Sequence, residues 1–508
     1  MGSCSGMRVS LSAKGTDLSP PPNTPVLVGV AAVQQRIEAA GQGLEPIELM
    51  IAALEQAAED AGSDELLRRA DRIEVPKGIW NYSDPARLVA DAIGAEQAHT
   101  VLAEIGILQQ TLINRACNSI ASGECNIVLV TGAEAKYRAL RGQIASVEIA
   151  ETAQADIEPD TTLQPAAELW STVESDTGLG MPVGFYAILD SALRAWQGVS
   201  VTEHRDQMAA MYADFSAIAA ANEDAWVREP VDAAFIREPS PRNKMLAFPY
   251  TKLHNSQWNV DQGAGLVFCS AAMAEELGIA RERWVFPLAG TESNAMSVVS
   301  ARQELHRCHG FYEAGRQVLA LAGKQPADID LMELYSCFPL AVRAQLQELG
   351  LPADRPLSVT GAMTFGGGPL NNFVLQATVK MTRLLRDQPA ATGLVTCVSG
   401  MNTKQGCALY STVSNPAGWQ FADVTAAVEN ATGECELVSG YDGAASIAGY
   451  TVLYQGEAPW RAVAVCDLPD GRRTVVFSED AAVIAAMLAD EFVGRAVEIS
   501  GGEYTLVE

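Results

Sequence analysis

The sequence predicts an α/β fold of two similar halves, each with a buried sheet between helices, followed by a small β domain. Three observations support this prediction. The chain has 508 residues, more than one domain usually holds. The same order of helical and strand patterns occurs twice before residue 414. From about residue 434, short strands separated by turn residues replace that order.

The first half shows alternating strand and helix patterns. A buried strand is predicted at 25–33 (PVLVGVAAV), and apolar residues at helical spacing over 47–61 predict the next helix. The segment DRIEV at 71–75 predicts a second strand. A helix over 112–120 and a strand at 127–130 follow. Such alternation is typical of a sheet covered by helices.

The second half repeats this order. Helical spacing over 311–321 precedes a strand at 328–334 (DIDLMEL). A strongly periodic helix over 370–384 precedes a strand at 394–396. The tripeptide LVT at 394–396 also occurs at 129–131, at the corresponding point of the first half. Two halves of similar topology are therefore predicted.

The change in pattern along the chain predicts its division into segments. Residues 135–250, approximately, are polar with helical stretches and are interpreted as an insertion that carries ligand contacts. The strands YTVLY, RAVAVCDL and RRTVVF predict a β-barrel of the oligonucleotide/oligosaccharide-binding (OB) type. The predicted segments are a flexible tail at 1–23, a first half at 24–282, a second half at 283–414 and the barrel at 420–508.

The charge of the chain excludes two classes of partner. Its 62 acidic residues outnumber 35 basic ones, giving a net charge of −27. Such a field repels nucleic acid and anionic membranes. No apolar run approaches the roughly 20 residues that a membrane span needs. We therefore expect neither nucleic-acid binding nor membrane insertion.

The cysteines and histidines do not suggest a metal site. The ten cysteines stand singly, without a CxxC pair or zinc spacing. They indicate reduced thiols in a cytoplasmic protein. In HRCHG, His306 and His309 lie one helical turn apart, but no carboxylate completes a known motif.

Several segments carry a resemblance to a known family. They are EHRDQMAAMYADFSAIAAA at 203–221, VDQGAGLVFCSAAMAEELGIA at 260–280, MELYSCFPLAV and TGAMTFGGGPLNNF. Over residues 24–414 the chain resembles the thiolase superfamily. It is similar to the type 1 thiolase-like proteins, which are related to SCP2-thiolase, are often labelled acetyl-CoA acetyltransferases and carry an extra C-terminal β domain. The resemblance implies a layered α/β/α/β/α thiolase fold, an acyl-CoA or coenzyme A ligand without a tightly bound cofactor, and a monomer or homodimer.

The resemblance places the family's nucleophilic cysteine at Gly106, in EIGILQQ. A helix N-terminus at this point would favour a thiolate. Because glycine supplies no nucleophile, Gly106 is interpreted as part of a substrate-binding loop or simply as a tight turn between strand and helix.

The second family loop is Asn-Glu-Ala-Phe or His-Asp-Cys-Phe, and here it reads Tyr335-Ser336-Cys337-Phe338. The phenol of Tyr335 can donate to an oxyanion or act as an acid or base. The alternative is a packed aromatic side chain whose hydroxyl has a protein partner. Tyr335 and Cys337 are both predicted catalytic residues.

The stretch FGGGPLNNF contains the third loop, in which the family has Gly-His-Pro with a histidine that activates the nucleophile. Gly367 and Gly368 precede Pro369, so Gly368 takes the place of that histidine. A phosphate cradle at the helix start is the alternative, although no lysine follows the glycines. Asn371 and Asn372, like the two glycines, are predicted to contact substrate, or else to cap the turn.

The fourth loop of the family is Cys-x-Gly, whose cysteine shuttles protons, and here it begins Cys397-Val398-Ser399. Cys397 matches and is predicted to be catalytic, or else to be a buried structural thiol. Ser399 departs from the pattern and is predicted to contact substrate. His254, in TKLHNSQWNVD, is a further catalytic candidate.

Coenzyme A requires cations for its phosphates. The segment REPSPRNK supplies Arg242 and Lys244, in a part of the insertion that lies near the nucleotide in the family. The alternative is an exposed basic loop.

The resemblance implies an acyl-CoA-binding protein of the acyltransferase type. Its catalytic loops are degenerate, since an acyl-enzyme mechanism needs a nucleophile and a base in reach of it. One alternative is retro-aldol cleavage of a β-hydroxyacyl-CoA, since thiolase-like aldolases lack the nucleophilic cysteine and use tyrosines. The other is a non-catalytic protein that binds CoA esters or acts as a scaffold.

Overall fold

The structure is a computed structural model that describes residues 20–167 and 170–507. Most of the predicted tail therefore lies outside the described residues. The strands up to residue 270 are β1 (Pro25–Gln34), β2 (Arg72–Pro76), β3 (His99–Ala103), β4 (Ile127–Ala135), β5 (Thr161–Leu163), β6 (Met245–Ala247), β7 (Tyr250–Thr251) and β8 (Asp261–Ser270). The helices up to residue 276 are α1 (Pro46–Ala61), α2 (Glu65–Arg68), α3 (Pro85–Ile93), α4 (Gln109–Ala121), α5 (Lys136–Ala145), α6 (Thr172–Ser175), α7 (Pro182–Gln197), α8 (Val201–Ala221), α9 (Ala233–Arg237) and α10 (Ala271–Glu276).

The first sheet has the strand order β1-β8-β4-β2-β3-β5. β8 runs antiparallel to β1 and β4, whereas β4, β2 and β3 are parallel. Helix α1 lies directly on this sheet because two glycines remove side chains from the contact. A Cβ atom at Gly29 would lie 2.1 Å from the carbonyl oxygen of Ala57, and one at Gly265 would lie 2.7 Å from that of Ala53.

The second half contains its own sheet. Its strands are β9 (Phe286–Ser293), β10 (Leu331–Glu333), β11 (Thr392–Ser399), β12 (Lys404–Ser411) and β13 (Gln420–Asp423). Its helices are α11 (His309–Leu321), α12 (Pro339–Leu349), α13 (Phe373–Asp387) and α14 (Thr425–Thr432). The strand order is β10-β11-β12-β9-β13. Because β13 is its edge strand, this sheet extends past residue 414.

The two halves share one topology. The run β1-β8-β4-β2 of the first sheet corresponds to β9-β12-β11-β10 of the second, with the same antiparallel and parallel neighbours. Helices α4 and α13 precede the corresponding strands β4 and β11. The predicted pair of similar α/β halves is therefore confirmed, and the two LVT tripeptides lie in corresponding strands.

The polar stretch between β4 and β8 contains helices α5 to α9, and a buried ionic network anchors it. Asp190 of α7 is fully buried and accepts hydrogen bonds from Nε2 of His204 at 2.9 Å and from the Tyr250 hydroxyl at 2.7 Å. Arg343 of α12 also contacts this carboxylate. The network therefore ties α7 and α8 to the second half.

The C-terminal strands close on themselves. They are β14 (Gly443–Gln455), β15 (Ala458–Asp467), β16 (Arg473–Ser478), β17 (Ala496–Ser500) and β18 (Glu503–Leu506), with helix α15 (Ala481–Ala489). β14 pairs with both β15 and β17, which completes the ring β14-β15-β16-β18-β17. β6 of the insertion also pairs with β14, at Ala247 and Leu453. The assignment of this barrel to the OB type stays a prediction.

Candidate functional site

The candidate site lies where strands of the second sheet end. β10 and β11 are parallel, so their carboxyl ends meet at one edge of the sheet, where ligands bind in open α/β sheets. Tyr335 lies two residues beyond β10, and Cys397 lies in the last part of β11. The backbone N–H of Tyr335 donates to Oγ1 of Thr396 at 2.8 Å, which fixes the two segments side by side.

Tyr335 is held by its backbone and ring, whereas its hydroxyl has no protein partner within the described ranges. Its carbonyl oxygen accepts from Nε2 of Gln345 at 2.9 Å, and its ring packs edge-on against Phe373, with 5.8 Å between centroids. The side chain is 7% exposed, and among the described residues no hydrogen-bond partner of its hydroxyl is found. Burial raises the pKa of Tyr335 well above its ordinary value. The phenol is therefore a neutral hydrogen-bond donor.

Cys397 lies at the N-terminus of helix α4, the position that would activate a thiol. The backbone N–H groups of Gln110 and Gln109 favour its thiolate, but burial has the larger effect and raises the pKa of Cys397 to about 12. Its exposure is 0%. Burial likewise raises the pKa of Cys337 to about 12. At neutral pH both thiols are therefore protonated in this structure.

Gly106 forms the loop between β3 and α4. Its φ is +105°, a conformation that favours glycine, and a Cβ atom there would lie 3.1 Å from Cγ of Pro165. Its carbonyl oxygen accepts a hydrogen bond of 2.8 Å from Nζ of Lys404. The structure therefore brings a buried lysine to the position where the resemblance places a nucleophile.

The third loop contains no base. A π-helical turn at Ala362–Gly366 leads into Gly367, whose φ is +107°. The N–H of Gly368 donates to the carbonyl oxygen of Gln257 at 2.9 Å. A Cβ atom at Gly368 would lie 3.1 Å from Cβ of Ser256, so little room remains for a side chain.

The two asparagines after this loop have different surroundings. Nδ2 of Asn371 donates to the carbonyl oxygen of Lys77 at 2.7 Å and so joins the two halves. Asn372 is buried, and neither atom of its amide has a hydrogen-bond partner among the described residues. Unpartnered buried amides are uncommon, and such a group is available to a ligand.

Two other predicted site residues lie next to this region. Ser399 ends β11 and is half-buried. His254 is buried; its Nδ1 accepts from the backbone N–H of Thr251 at 3.2 Å, and burial lowers its pKa to about 3. Ser256, two residues on, donates to the carbonyl oxygen of Cys337 at 3.2 Å. His254 is therefore a neutral, buried imidazole. The residues that follow it, 255–257, contact the second and third loops.

The predicted phosphate contacts lie on the exposed part of the insertion. The guanidinium of Arg242 lies 5.2 Å from the ring centre of Phe235. Nζ of Lys244 lies 3.3 Å from Oε1 of Glu457, in the turn between β14 and β15.

Two hollows in the described part of the chain lie away from Tyr335 and Cys397. One, of about 660 Å³, is lined by acidic residues of α1 together with Arg383. The other, of about 30 Å³, is lined in part by Asn402, Thr403 and Gln405. Within residues 20–167 and 170–507, no group of three or more His, Cys, Asp or Glu side chains could hold a metal ion. No helix in that part has the length and apolarity to cross a bilayer.

Sequence reasoning did not identify Lys404 or Gln109. Lys404 appears as one charged residue at the start of a strand, and such a residue is usually exposed. Gln109 accepts from the backbone N–H of Val374 at 2.7 Å and so fixes the start of α13 against α4. Only the pairing of the two halves makes these contacts, and no local pattern signals them.

Comparison with known proteins agrees with this architecture. No family model matches the chain. The 3-ketoacyl-CoA thiolase of Marinomonas sp. is 29% identical over 143 residues, which are 28% of this chain and 34% of that protein. The match therefore spans about a third of the length of the curated thiolase.

Solved structures match over much more of the chain. The monomeric SCP2-thiolase like protein type 1 from Mycobacterium smegmatis is 25% identical, with a TM-score of 0.80 over 96% of this chain and 100% of that chain. The Ltp2-ChsH2(DUF35) aldolase and the acetyl-CoA acetyltransferase from Syntrophomonas wolfei have TM-scores of 0.58 and 0.55. Both are 19% identical over 77% of this chain, which covers 98% and 100% of theirs, and they show the fold alone. The predicted thiolase α/β fold is confirmed, and the chain belongs to the thiolase superfamily.

Proposed function

We propose that the chain binds an acyl-CoA between its two halves and acts on the acyl group as an acyltransferase-type protein, without the cysteine–histidine pair of standard thiolases. One observation carries this proposal: the side chain of Tyr335, the thiol of Cys397 and the N-terminus of α4 lie together at one edge of the second sheet. A neutral phenol and helix N–H groups are suited to stabilise the oxyanion of a thioester.

Acyl transfer in this site would run through Cys397. Its thiolate would attack the thioester carbonyl, form a thioester with Cys397 and release coenzyme A as the leaving thiol. The N–H groups of Gln109 and Gln110 favour that thiolate. Since burial keeps the thiol protonated, ligand binding has to open the site before this step proceeds.

Retro-aldol cleavage of a β-hydroxyacyl-CoA is the second candidate, and the free, neutral hydroxyl of Tyr335 favours it. A base takes the β-hydroxyl proton, the bond between C2 and C3 breaks, and a ketone or aldehyde leaves. The electron pair passes to the thioester enolate, whose oxygen accepts a hydrogen bond from Tyr335, and return of the proton from the base to C2 gives the shortened acyl-CoA. This route tolerates glycine at Gly106 and at Gly368.

A binding protein without turnover is the third candidate, and the complete burial of Cys397 favours it. We further propose Arg242 and Lys244 as contacts for the phosphates of coenzyme A. A monomer is favoured over a homodimer by the solved thiolase-like protein, which is described as monomeric.

Thermal unfolding with coenzyme A, acetyl-CoA, acetoacetyl-CoA and a β-hydroxyacyl-CoA tests the proposal. Bound ligand stabilises the folded state, so a rise in Tm is expected with at least one acyl-CoA. Mass spectrometry of the same samples then reports products and acyl adducts on cysteine. No rise in Tm with any of these compounds would overturn the proposed ligand class.

Variants separate the three candidates. Loss of turnover and of a cysteine adduct in Cys397→Ser supports acyl transfer. Loss of turnover in Tyr335→Phe, without any adduct in the wild type, supports retro-aldol cleavage. Stabilisation without turnover supports a binding protein. Lys324→Met serves as a control, since Lys324 lies outside the proposed site.

A further inference from the structure

Lys404 differs from the other described lysines. It begins β12 and is 1% exposed, whereas the other lysines in the described ranges are half-buried or exposed. Nζ of Lys404 donates to the carbonyl oxygen of Gly106 at 2.8 Å, and among the described residues it pairs with no carboxylate. Burial of an unpaired ammonium is costly, which favours loss of its proton relative to an exposed lysine. Burial accordingly lowers the pKa of Lys404.

The register of the second sheet places Lys404 on the side of Cys397. Lys404 pairs directly with Ser399, and Gly406 pairs with Cys397. Directly paired residues and residues two positions apart share one face of a sheet, so these four residues face the same way. A Cβ atom at Gly406 would lie 3.0 Å from Cβ of Gln110. This face therefore packs against the first turn of α4.

The amine of Lys404 has hydrogen-bonding capacity that the protein does not use. One of its hydrogens is taken up by the Gly106 carbonyl, and no second hydrogen-bond partner occurs in the described part of the chain. Its anchor is a backbone carbonyl, which holds an amine in place without charging it. Ile105, beside Gly106, is 49% exposed, so the loop that anchors the amine reaches the surface.

We infer that Lys404 is a reacting amine that forms an imine with the ketone carbonyl of a β-ketoacyl thioester bound beside Gly106. This inference rests on the proposed acyl-CoA site and names its substrate class. The nitrogen lone pair attacks the ketone carbon and gives a carbinolamine. The carbinolamine then loses water, in which the carbonyl oxygen leaves with the two amine hydrogens, and a carbon–nitrogen double bond forms. Neither oxidant nor reductant is required.

Reductive trapping with acetoacetyl-CoA tests the inference. The full-length protein is incubated with acetoacetyl-CoA and sodium cyanoborohydride, which reduces an imine to a stable secondary amine. Peptide mass spectrometry then locates the adduct. We expect an adduct on Lys404 in the wild type and in the control Lys324→Met, and its loss in Lys404→Met and Lys404→Arg. Two variants are used because arginine keeps a donor for Gly106 and methionine keeps the volume.

Calorimetric titration with acetoacetyl-CoA distinguishes failure of the imine from failure of the proposed acyl-CoA binding. Binding without an adduct on Lys404 would overturn the imine and leave the proposed function standing. Absence of binding would overturn the proposed function together with the imine. An adduct that persists in both Lys404 variants would assign the reaction to another lysine and likewise overturn the inference.

Discussion

Alkylation of Cys397 should be far slower than alkylation of an ordinary cysteine. Iodoacetamide reacts with the thiolate, and burial raises the pKa of Cys397 to about 12. At pH 8 its thiolate fraction is then on the order of 10⁻⁴, compared with about a quarter for a free thiol of pKa about 8.5. The ratio predicts alkylation about 10³-fold slower, and restricted access to a fully buried sulfur slows it further.

Peptide mass spectrometry after timed iodoacetamide exposure measures this difference in one sample. Cys435 is the internal standard, since it is half-buried while the other described cysteines are buried. The same experiment on urea-unfolded protein confirms that the Cys397 peptide is detectable. Equal labelling rates for Cys397 and Cys435 in the folded protein would refute the reasoning, because they would require an open site with an accessible thiolate.

Three further predictions concern the site and the stability of the fold. The double variant Gly106→Cys, Gly368→His restores the family residues. The substitution at Gly106, whose φ is positive, should by itself lower the free energy of unfolding in urea by about 1–3 kcal/mol. The variant should not gain thiolysis activity, and rapid thiolysis in an activity assay would contradict this. Burial raises the pKa of Glu74 to about 7, above the ordinary 4.5, so the folded state holds this proton more tightly than the unfolded chain does. As the pH rises from about 4.5 to 7, the wild type should therefore lose up to about 3 kcal/mol of folding stability, while Glu74→Gln should not. Urea unfolding at pH 5 and 8 tests it, and a pH-independent difference between the two proteins would be inconsistent with this pKa. Asp190→Asn should cost about 3–5 kcal/mol because it removes the buried carboxylate that Arg343 and the buried His204 contact, and an unchanged unfolding midpoint would rule this out.

The repeated halves could be predicted from the sequence because their signal is local. The helices around residues 47–61 and 370–384 have apolar residues at helical spacing, and the structure contains α1 and α13 there. β12 gave no such signal, since its first residues are KQG, and it becomes a strand through pairing with β9 and β11. Tertiary pairing overrides weak local preference in such strands.

The candidate site was only partly predictable for the same reason. Tyr335 and Cys397 were identified because the resemblance aligned short motifs with catalytic loops. The contact of Cys397 with the N-terminus of α4 depends on the packing of two halves, in which these segments are more than 200 residues apart in sequence. Lys404 carried no motif, and its role depends on burial and on the Gly106 carbonyl. Arg242 and Lys244 stay predictions.

Hydrogen exchange with and without acetoacetyl-CoA tests most directly whether an acyl-CoA binds between the two halves. We expect slower backbone exchange on ligand addition in peptides that cover residues 104–110, 335–338 and 397–404, and little change in the C-terminal barrel away from Glu457. Protection confined to other parts of the chain, or no protection at a concentration of ligand that saturates binding, would contradict it.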